Sequence, residues 1–234
     1  MRKLSYRTRF TRADYFVVRH IDTFVSRALD KHIRSGTRVA DIGCGEQPFR
    51  RQVEKLGGVY KGIDVEQNAN GLVDLVSRAE CVPLPGTSVD LVLCTEVLEH
   101  LDDIDLAVRE IVRLLAEKGK VILTVPFIYP LHEEPTDYVR LTPHSIRQLA
   151  ARNSLQILEL QLLGNELESL AVLWGNLFQR MPAFSRVVVL RRFVLPTLVA
   201  PINLVMAATG WLFRRMLPCR AFLGVGCILQ KAEE

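Results

Sequence analysis

An apolar segment that ends in an acid and turns sharply on two glycines constrains the fold of this 234-residue chain more than any other feature. Residues 39–43 read Val-Ala-Asp-Ile-Gly, and their apolar positions are typical of a strand covered on both faces of a parallel sheet. Gly43 and Gly45 permit a tight turn and let backbone amides approach a ligand that a Cβ would exclude. A helix after such a turn directs its N-terminal N–H groups to the same place. The segment therefore predicts a site for an adenosine-containing cofactor, with Asp41 at the strand end.

A second apolar strand is predicted over residues 59–65, and it also ends in an acid. Its Asp64 lies 23 residues after Asp41, close to the spacing at which an acid holds a ribose diol. Pro48 stands where a Gly-x-Gly-x-x-Gly dinucleotide fingerprint requires its third glycine. The pattern thus disfavours a nicotinamide dinucleotide as the cofactor.

Four motifs stand in the order and spacing of class I S-adenosylmethionine (SAM) dependent methyltransferases, which the chain resembles over residues 30–160. They are Asp41-Ile42-Gly43-Cys44-Gly45, Gly62-Ile63-Asp64, the run from Asp90 to Leu101, and the run from Gly119 to Pro126. The resemblance implies SAM as the cofactor, bound by Asp41, Gly43, Cys44, Gly45, Asp64, Ala79, Glu80, Thr95 and Glu96. The family commonly has an acid at position 78, whereas Arg78 cannot accept a hydrogen bond from an adenine amino group. Either Glu80 or a backbone carbonyl is expected to accept it, or adenine is held more loosely.

Strand and helix segments alternate along residues 38–163, which predicts an α/β fold with a doubly wound, mostly parallel sheet. The resemblance implies a seven-stranded, Rossmann-like sheet whose last strand, residues 222–229, is antiparallel. An apolar helical insertion is expected before it. We therefore divide the chain into a SAM-binding core (1–164), the insertion (165–220) and the final strand (221–234). Apolar residues at helical spacing within 14–34 predict a helix that closes over the cofactor edge.

The segment richest in polar side chains, residues 126–140, follows the predicted fifth strand and should overhang the cofactor pocket. A general base assists methyl transfer to a hydroxyl, and His132 is the candidate base, with Asp137 as the residue that orients it. Candidate acceptor-binding residues in the same segment are Tyr129, Tyr138 and Arg140. The alternative is that Asp137, Tyr138 and Arg140 form a hydrogen-bond network that only pins the loop.

Two other kinds of site are disfavoured by the sequence. His132-Glu133-Glu134 contains metal-ligand side chains, but no second ligand group stands at matching spacing, so no metal is expected. Residues 95–98 read Thr-Glu-Val-Leu, where methyltransferases of nucleobase amines typically carry an Asn/Asp-Pro-Pro-aromatic turn. The chain has no basic stripe interleaved with aromatic residues, so no nucleic-acid partner is expected. His100 is interpreted as a structural or pocket-wall residue.

The insertion contains an uncharged stretch, residues 193–213, whose 21 residues would span about 31 Å as one helix, enough for a bilayer core. It is flanked on both sides by arginines, namely Arg191, Arg192, Arg214 and Arg215. Basic residues at both ends indicate that both ends stay cytoplasmic. Pro196 and Pro201 are expected to break a straight helix near its start. The stretch therefore predicts a helical hairpin that dips into one leaflet, with residues 185–217 at the membrane surface. The alternative is an apolar flap or a homodimer interface.

Five scattered cysteines and an N-terminus without an apolar signal region are typical of a reduced, cytoplasmic protein, here at the inner face of the membrane. The predicted function is SAM-dependent methyl transfer, to oxygen, on an amphipathic or membrane-proximal acceptor. The segment 126–140 resembles methyltransferases of bacterial cell-surface glycan pathways, which favours a glycan or a lipid-linked saccharide. A quinone or lipid acceptor, and a non-catalytic SAM-binding membrane-associated protein, are the alternatives.

Overall fold

The strand that precedes the Gly-x-Gly turn lies in the middle of a seven-stranded sheet. The computed structural model describes residues 9–182, 187–188, 190–213 and 220–232. The strands are β1 (Arg38–Ile42), β2 (Val59–Asp64), β3 (Leu75–Val76), β4 (Val89–Thr95), β5 (Leu115–Pro126), β6 (Leu155–Leu163) and β7 (Gly224–Lys231). Their order is β3-β2-β1-β4-β5-β7-β6, and β7 alone runs antiparallel, between β5 and β6. The predicted fold class is therefore confirmed, while the division into three segments stays a prediction.

Helices cover both faces of the sheet. They are α1 (Tyr15–His32), α2 (Arg50–Lys55), α3 (Ile104–Leu114), α4 (Pro143–Arg152), α5 (Glu166–Arg180) and α6 (Leu195–Phe213), with a 3-10 turn at Leu98–His100 and a π turn at Leu190–Val194. The apolar residues of β1 and β4 alternate between two cores. One core contains Ala40 and Val92 and packs on α3 and α4, and the other contains Val39 and Leu91 and packs on α1, α2 and α5. Burial on both faces explains the near-continuous apolar runs of these strands.

The first helix packs on the sheet and does not close over the cofactor edge, so that expectation is corrected. Phe16, Phe24 and Leu29 of α1 are fully buried in the second core. Phe24 lies against Gly226 of β7, where the ring occupies the space a Cβ would need. Because α1 uses its apolar face to cover β7 and its neighbours, its described residues are not among those that line the cavity at the carboxyl ends of the strands.

The long apolar segment forms one continuous helix, which corrects the predicted break at its prolines. Pro196 lies in the first turn of α6, directly after the π turn, and Pro201 is accommodated inside the helix. The helix packs along α5, and Gly210 near its end lies against Asn165 at the start of α5. The two helices are therefore antiparallel. The Asn203 side chain donates to the carbonyl oxygens of Phe10 and Arg12, which ties α6 to the segment before α1.

Asp41 lies beneath the Gly-x-Gly turn, in the core. Its carboxylate is 1% exposed and accepts a 2.5 Å hydrogen bond from the Tyr60 hydroxyl. Burial raises the pKa of Asp41 to about 7, with the charge of Asp64 adding to the rise and the Tyr60 hydrogen bond opposing it. Asp41 thus acts in the structure as a buried partner of β2.

The burial of Asp41 generates a prediction about stability and pH. The folded state keeps the proton on Asp41 up to about pH 7, whereas the unfolded chain releases it near pH 4. The folded state binds more protons in this window, so stability should fall as pH rises through it, by at most about 1.4 kcal/mol per pH unit. Asp41→Asn should remove this slope in urea unfolding at pH 5, 6 and 7.

Asp90→Asn is the matched control, because Arg38 lowers the pKa of Asp90 and its contribution is lost only below pH 4. An unchanged slope in Asp41→Asn would contradict the assignment of a buried, protonated Asp41.

Candidate functional site

A cavity of about 570 Å³ opens at the carboxyl ends of β1, β2 and β4. In doubly wound sheets ligands bind at this edge, where the strand order reverses. The residues that line it come from the β1 turn (Ile42, Gly43, Cys44, Gly45, Glu46, Pro48), the end of β2 (Asp64, Val65, Glu66), the β3 loop (Ser77, Arg78, Ala79, Glu80), the β4 turn (Thr95, Glu96, Val97, His100, Leu101, Asp102) and the β5 loop (His132, Glu133, Glu134, Thr136, Tyr138).

Two glycines of the β1 turn adopt backbone conformations that favour glycine, with φ of 70° at Gly43 and 51° at Gly45. A Cβ at Gly43 would fall on a methyl group of Val97, so the β1 and β4 turns pack together only because this side chain is missing. At Gly45 the corresponding space is open, and this residue lines the cavity. The turn can therefore hold its backbone close to a ligand.

Asp64 joins the β1 turn to the end of β2. Its Oδ2 accepts a 2.8 Å hydrogen bond from the Gly45 amide, and the carboxylate also borders the cavity. Asn68 donates to the Gly45 carbonyl at 3.0 Å and so holds the next peptide group of the turn. A carboxylate has acceptor capacity for about four hydrogen bonds, so Asp64 can bind the turn and a vicinal diol together. This arrangement fits the ribose of SAM.

The structure gathers eight of the nine predicted cofactor residues at the cavity. They are Gly43, Cys44, Gly45, Asp64, Ala79, Glu80, Thr95 and Glu96, while Asp41 lies below the lining. Glu96 has a left-handed backbone, with φ of 56°, and its amide donates to the Thr124 carbonyl of β5. One oxygen of Glu80 accepts from Arg78 at 2.8 Å, so Arg78 occupies part of the carboxylate that was considered for adenine. The ligand assignments themselves stay predictions.

The β5 loop brings His132 and Tyr138 to the cavity, whereas Tyr129, Asp137 and Arg140 stand behind its lining. Asp137 accepts two hydrogen bonds from the Arg140 guanidinium and one, at 3.0 Å, from the His132 amide. Burial alone would raise the pKa of Asp137, but these bonds outweigh it and lower the pKa to about 2. Asp137 is therefore an anion that fixes the loop.

The same anion contacts the imidazole that the sequence singled out. Asp137 Oδ2 lies 3.1 Å from His132 Nδ1, and the Tyr129 ring meets the His132 ring edge to face at 5.2 Å. The two interpretations of the segment are thus compatible, because one carboxylate can pin the loop and orient the histidine.

Sequence reasoning missed the functional potential of Glu99, which is buried next to two residues of the cavity lining, His100 and His132. Glu99 is 1% exposed, and its Oε1 lies 3.6 Å from His100 Nε2 and 4.0 Å from His132 Nε2. Burial and the neighbouring charge of Glu96 raise the pKa of Glu99. The available signal was a Glu-His pair directly after β4, but its partner in the β5 loop is more than 30 residues away.

Comparison with known proteins points to one chemistry for the cofactor half of this cavity. Residues 40–123 match the family model described as a methyltransferase domain. A ubiquinone biosynthesis O-methyltransferase of Cupriavidus pinatubonensis is 32% identical over 104 residues, which are 38% of this chain and 41% of that protein. The chain thus matches less than half the length of this relative.

Solved structures of low sequence identity share the fold over most of the chain. The [4+2]-cyclase SpnF superposes with a TM-score of 0.60 at 17% identity and covers 90% of this chain and 80% of its own. A Burkholderia thailandensis 1,6-didemethyltoxoflavin-N1-methyltransferase with bound S-adenosylhomocysteine has a TM-score of 0.57 at 11% identity, covering 92% and 79%.

The cofactor half of the cavity agrees with these comparisons. The glycine turn and Asp64, the last residue of β2, lie within the matched segment. Residues 40–123 therefore match a methyltransferase domain, and the cavity that this segment helps to build fits SAM as the cofactor.

Proposed function

We propose that the protein transfers the methyl group of SAM to a hydroxyl oxygen of a membrane-borne acceptor. The observation that carries this proposal is the shared cavity. Gly45 and Asp64 border one part of it, and His132 and Tyr138 border another. A cofactor held by the first pair and an acceptor held by the second would meet in a single enclosed space. Alignment of acceptor, methyl carbon and sulfur is the main requirement of this reaction.

In the proposed reaction the acceptor oxygen forms a bond to the methyl carbon while the carbon–sulfur bond breaks. The electron pair of that bond stays on sulfur, so the sulfonium becomes the neutral thioether of S-adenosylhomocysteine. The acceptor proton passes to His132, whose imidazole Asp137 orients from behind. Tyr129, Tyr138 and Arg140 stay the candidate acceptor-binding residues, of which Tyr138 borders the cavity.

The names of related proteins support one chemical class of acceptor. The curated relatives are named ubiquinone biosynthesis O-methyltransferases, which supports a phenolic hydroxyl of a quinone-type lipid. The second candidate is a glycan or lipid-linked saccharide, favoured by the polar side chains at the acceptor end, which include His132, Glu133 and Thr136. Methylation assays with both acceptor classes distinguish them.

An apolar surface formed by α5 and α6 supports the membrane-borne acceptor. We define the α5–α6 surface by its exposed residues Leu170, Leu173, Trp174 and Leu177 of α5 and Leu198, Leu204, Val205, Trp211 and Leu212 of α6. Residues 170, 173, 174 and 177 share one helical face. Arg192–Phe213 is long and apolar enough to cross a membrane, with a mean hydropathy of 1.7 and 22% of its most apolar window buried. Its packing along α5 favours a helix that lies in one leaflet.

The α5–α6 surface is connected to the acceptor loop. Arg180, at the end of α5, donates to the Leu131 carbonyl, directly before His132. Arg192 precedes α6 at the same end of the antiparallel pair. Cations at this end would meet anionic headgroups while the apolar residues enter the leaflet. The proposed location is therefore the inner face of the membrane, with the acceptor entrance close to the lipid. A homodimer through the same surface is the competing arrangement.

Asp64→Asn tests the cofactor assignment. A charged hydrogen bond is worth about 1.5–3 kcal/mol, so the variant should bind SAM about 10- to 100-fold more weakly in calorimetry. Asp90→Asn, at the opposite end of the sheet, should bind SAM like the wild type. SAM should raise the melting temperature and NAD should not. Unchanged SAM affinity in Asp64→Asn would refute the role of Asp64 at the ribose.

His132→Gln tests the acceptor end. Loss of proton transfer should lower turnover by about 10²–10⁴-fold, while SAM affinity stays within a factor of two to three because Asp64 and the glycine turn are untouched. Single-turnover transfer of labelled methyl from SAM measures this effect. Near-normal turnover of this variant would show that His132 has only a structural role. SAM binding without transfer to any phenolic or saccharide hydroxyl would support the non-catalytic alternative.

Leu204→Glu with Trp211→Glu tests the membrane proposal. Burying each of these side chains is worth about 1.5–3 kcal/mol, so the double variant should bind vesicles at least about 10-fold more weakly. Sedimentation with phosphatidylcholine vesicles, with and without phosphatidylglycerol and after a high-salt wash, measures binding. Leu106→Glu on α3 is the control, because Leu106 is equally apolar and exposed on the opposite face of the sheet. The dimer interface would be favoured if the wild type is a dimer that does not bind vesicles and the double variant is a monomer.

A further inference from the structure

Three side chains of metal-ligand type converge at the acceptor end of the cavity. Glu99 and His100 lie on the 3-10 turn after β4, and His132 comes from the loop after β5. One ligand atom from each can be chosen so that all three lie within 4.8 Å of one another. The two imidazole rings stand nearly perpendicular, with centroids 4.9 Å apart. The sequence pattern predicted no metal here, because the second ligand group comes from a distant part of the chain.

The outer nitrogens of both histidines face acceptors. His100 Nδ1 lies 2.8 Å from the Thr136 carbonyl oxygen, which can only accept, so the proton of the neutral ring is on Nδ1. His132 Nδ1 lies 3.1 Å from Asp137 Oδ2, an anion, which favours the same tautomer. Each Nε2 then presents a lone pair toward Glu99. Metal-bound histidines are usually held by a carbonyl or carboxylate on the outer N–H, as His100 is by Thr136, while Asp137 acts on His132 as a neighbouring charge.

Glu99 would supply the negative charge of the cluster when a cation is bound. Its side chain is 1% exposed, and neither carboxylate oxygen has a hydrogen-bond partner among the described residues. A buried carboxylate without a partner is costly, and two lone pairs directed at it increase the cost. A cation between the three groups would remove both penalties.

We propose that Glu99, His100 and His132 bind one divalent transition-metal cation of the zinc type. Two imidazoles and one carboxylate are a donor set of catalytic zinc sites, which keep a further position for water or substrate. Imidazole ligands favour zinc over magnesium or calcium. Zinc–ligand bonds of about 2.0–2.1 Å put tetrahedral ligand atoms about 3.3–3.4 Å apart. The separations around Glu99 Oε1 are 3.6 and 4.0 Å, and all three ligand atoms lie within 4.8 Å of one another, so the groups would have to move closer around the cation.

A cation at this site would act at the acceptor end of the cavity, because His100 and His132 both border it. An acceptor hydroxyl near the cation would lose its proton more readily. With the cation bound, His132 would act as a ligand in place of the proton acceptor proposed above, and the acceptor proton would pass to solvent water. This last step rests on the proposed methyl transfer, whereas binding of the cation does not.

Titration of chelator-treated, full-length protein with Zn²⁺ tests the site without any assay of activity. Calorimetry should show one Zn²⁺ per chain, and Co²⁺ should give the visible absorption of a four-coordinate site. Asp137→Asn changes only the charge next to His132 and should weaken Zn²⁺ binding by about 10- to 100-fold. Glu99→Gln and His100→Gln each remove a ligand and should weaken Zn²⁺ binding by more than that. His144→Gln, an exposed histidine of α4, should leave the affinity unchanged.

Thermal stabilisation by SAM reports whether the fold of each variant is intact. If a variant fails to fold, the Co²⁺ spectrum of the wild type still tests the site. Failure of the wild type to bind Zn²⁺ while it binds SAM would overturn the cation site and leave the proposed function untouched. Equal Zn²⁺ affinity in Glu99→Gln, His100→Gln and His144→Gln would also overturn it. Zn²⁺ binding with no methyl transfer to any acceptor would instead contradict the proposed function alone.

Discussion

The contact between the β1 and β4 turns organises the whole carboxyl edge of the sheet. Val97 occupies the space in which a side chain at Gly43 would lie, so the two turns can approach only with glycine at that position. This approach sets Glu96 beside the turn that carries the Gly45 amide. Asp64, at the end of β2, accepts a hydrogen bond from that amide and so joins a third strand end to the two turns. Cofactor groups and acceptor groups share one cavity as a result.

The sheet supplies the frame, and the loops decide the chemistry. The same fold is shared with a [4+2]-cyclase as well as with methyltransferases, so the strand order alone does not select a reaction. The β5 loop is the part of the cavity with the densest polar contacts. Asp137 binds Arg140, the His132 amide and the His132 ring at once, and a loop fixed this tightly can hold a reactive imidazole in one orientation.

The α5–α6 pair and the acceptor loop form one connected unit. α5 and α6 bury one side against α1 and the sheet, while Trp211 is 69% exposed on the other side. Arg180 links the end of α5 to Leu131. A lipid-borne acceptor would therefore reach the cavity from the side on which the apolar residues are exposed, and His132 stands directly after the linked residue.

Local sequence determined the strands, the glycine turn and the acid after β2, because these depend on burial patterns and on backbone conformations that few residues adopt. Residue type alone could not separate Asp41 from Asp64. Both lie near the ends of apolar strands, and the structure shows that Asp41 is buried against the Tyr60 hydroxyl whereas Asp64 borders the cavity. Likewise, only the tertiary structure decided that α6 stays one helix and that Glu99 and His100 meet His132. Glu99 and His132 lie on loops more than 30 residues apart in the chain, and the path of the backbone through the sheet sets the distance between their side chains.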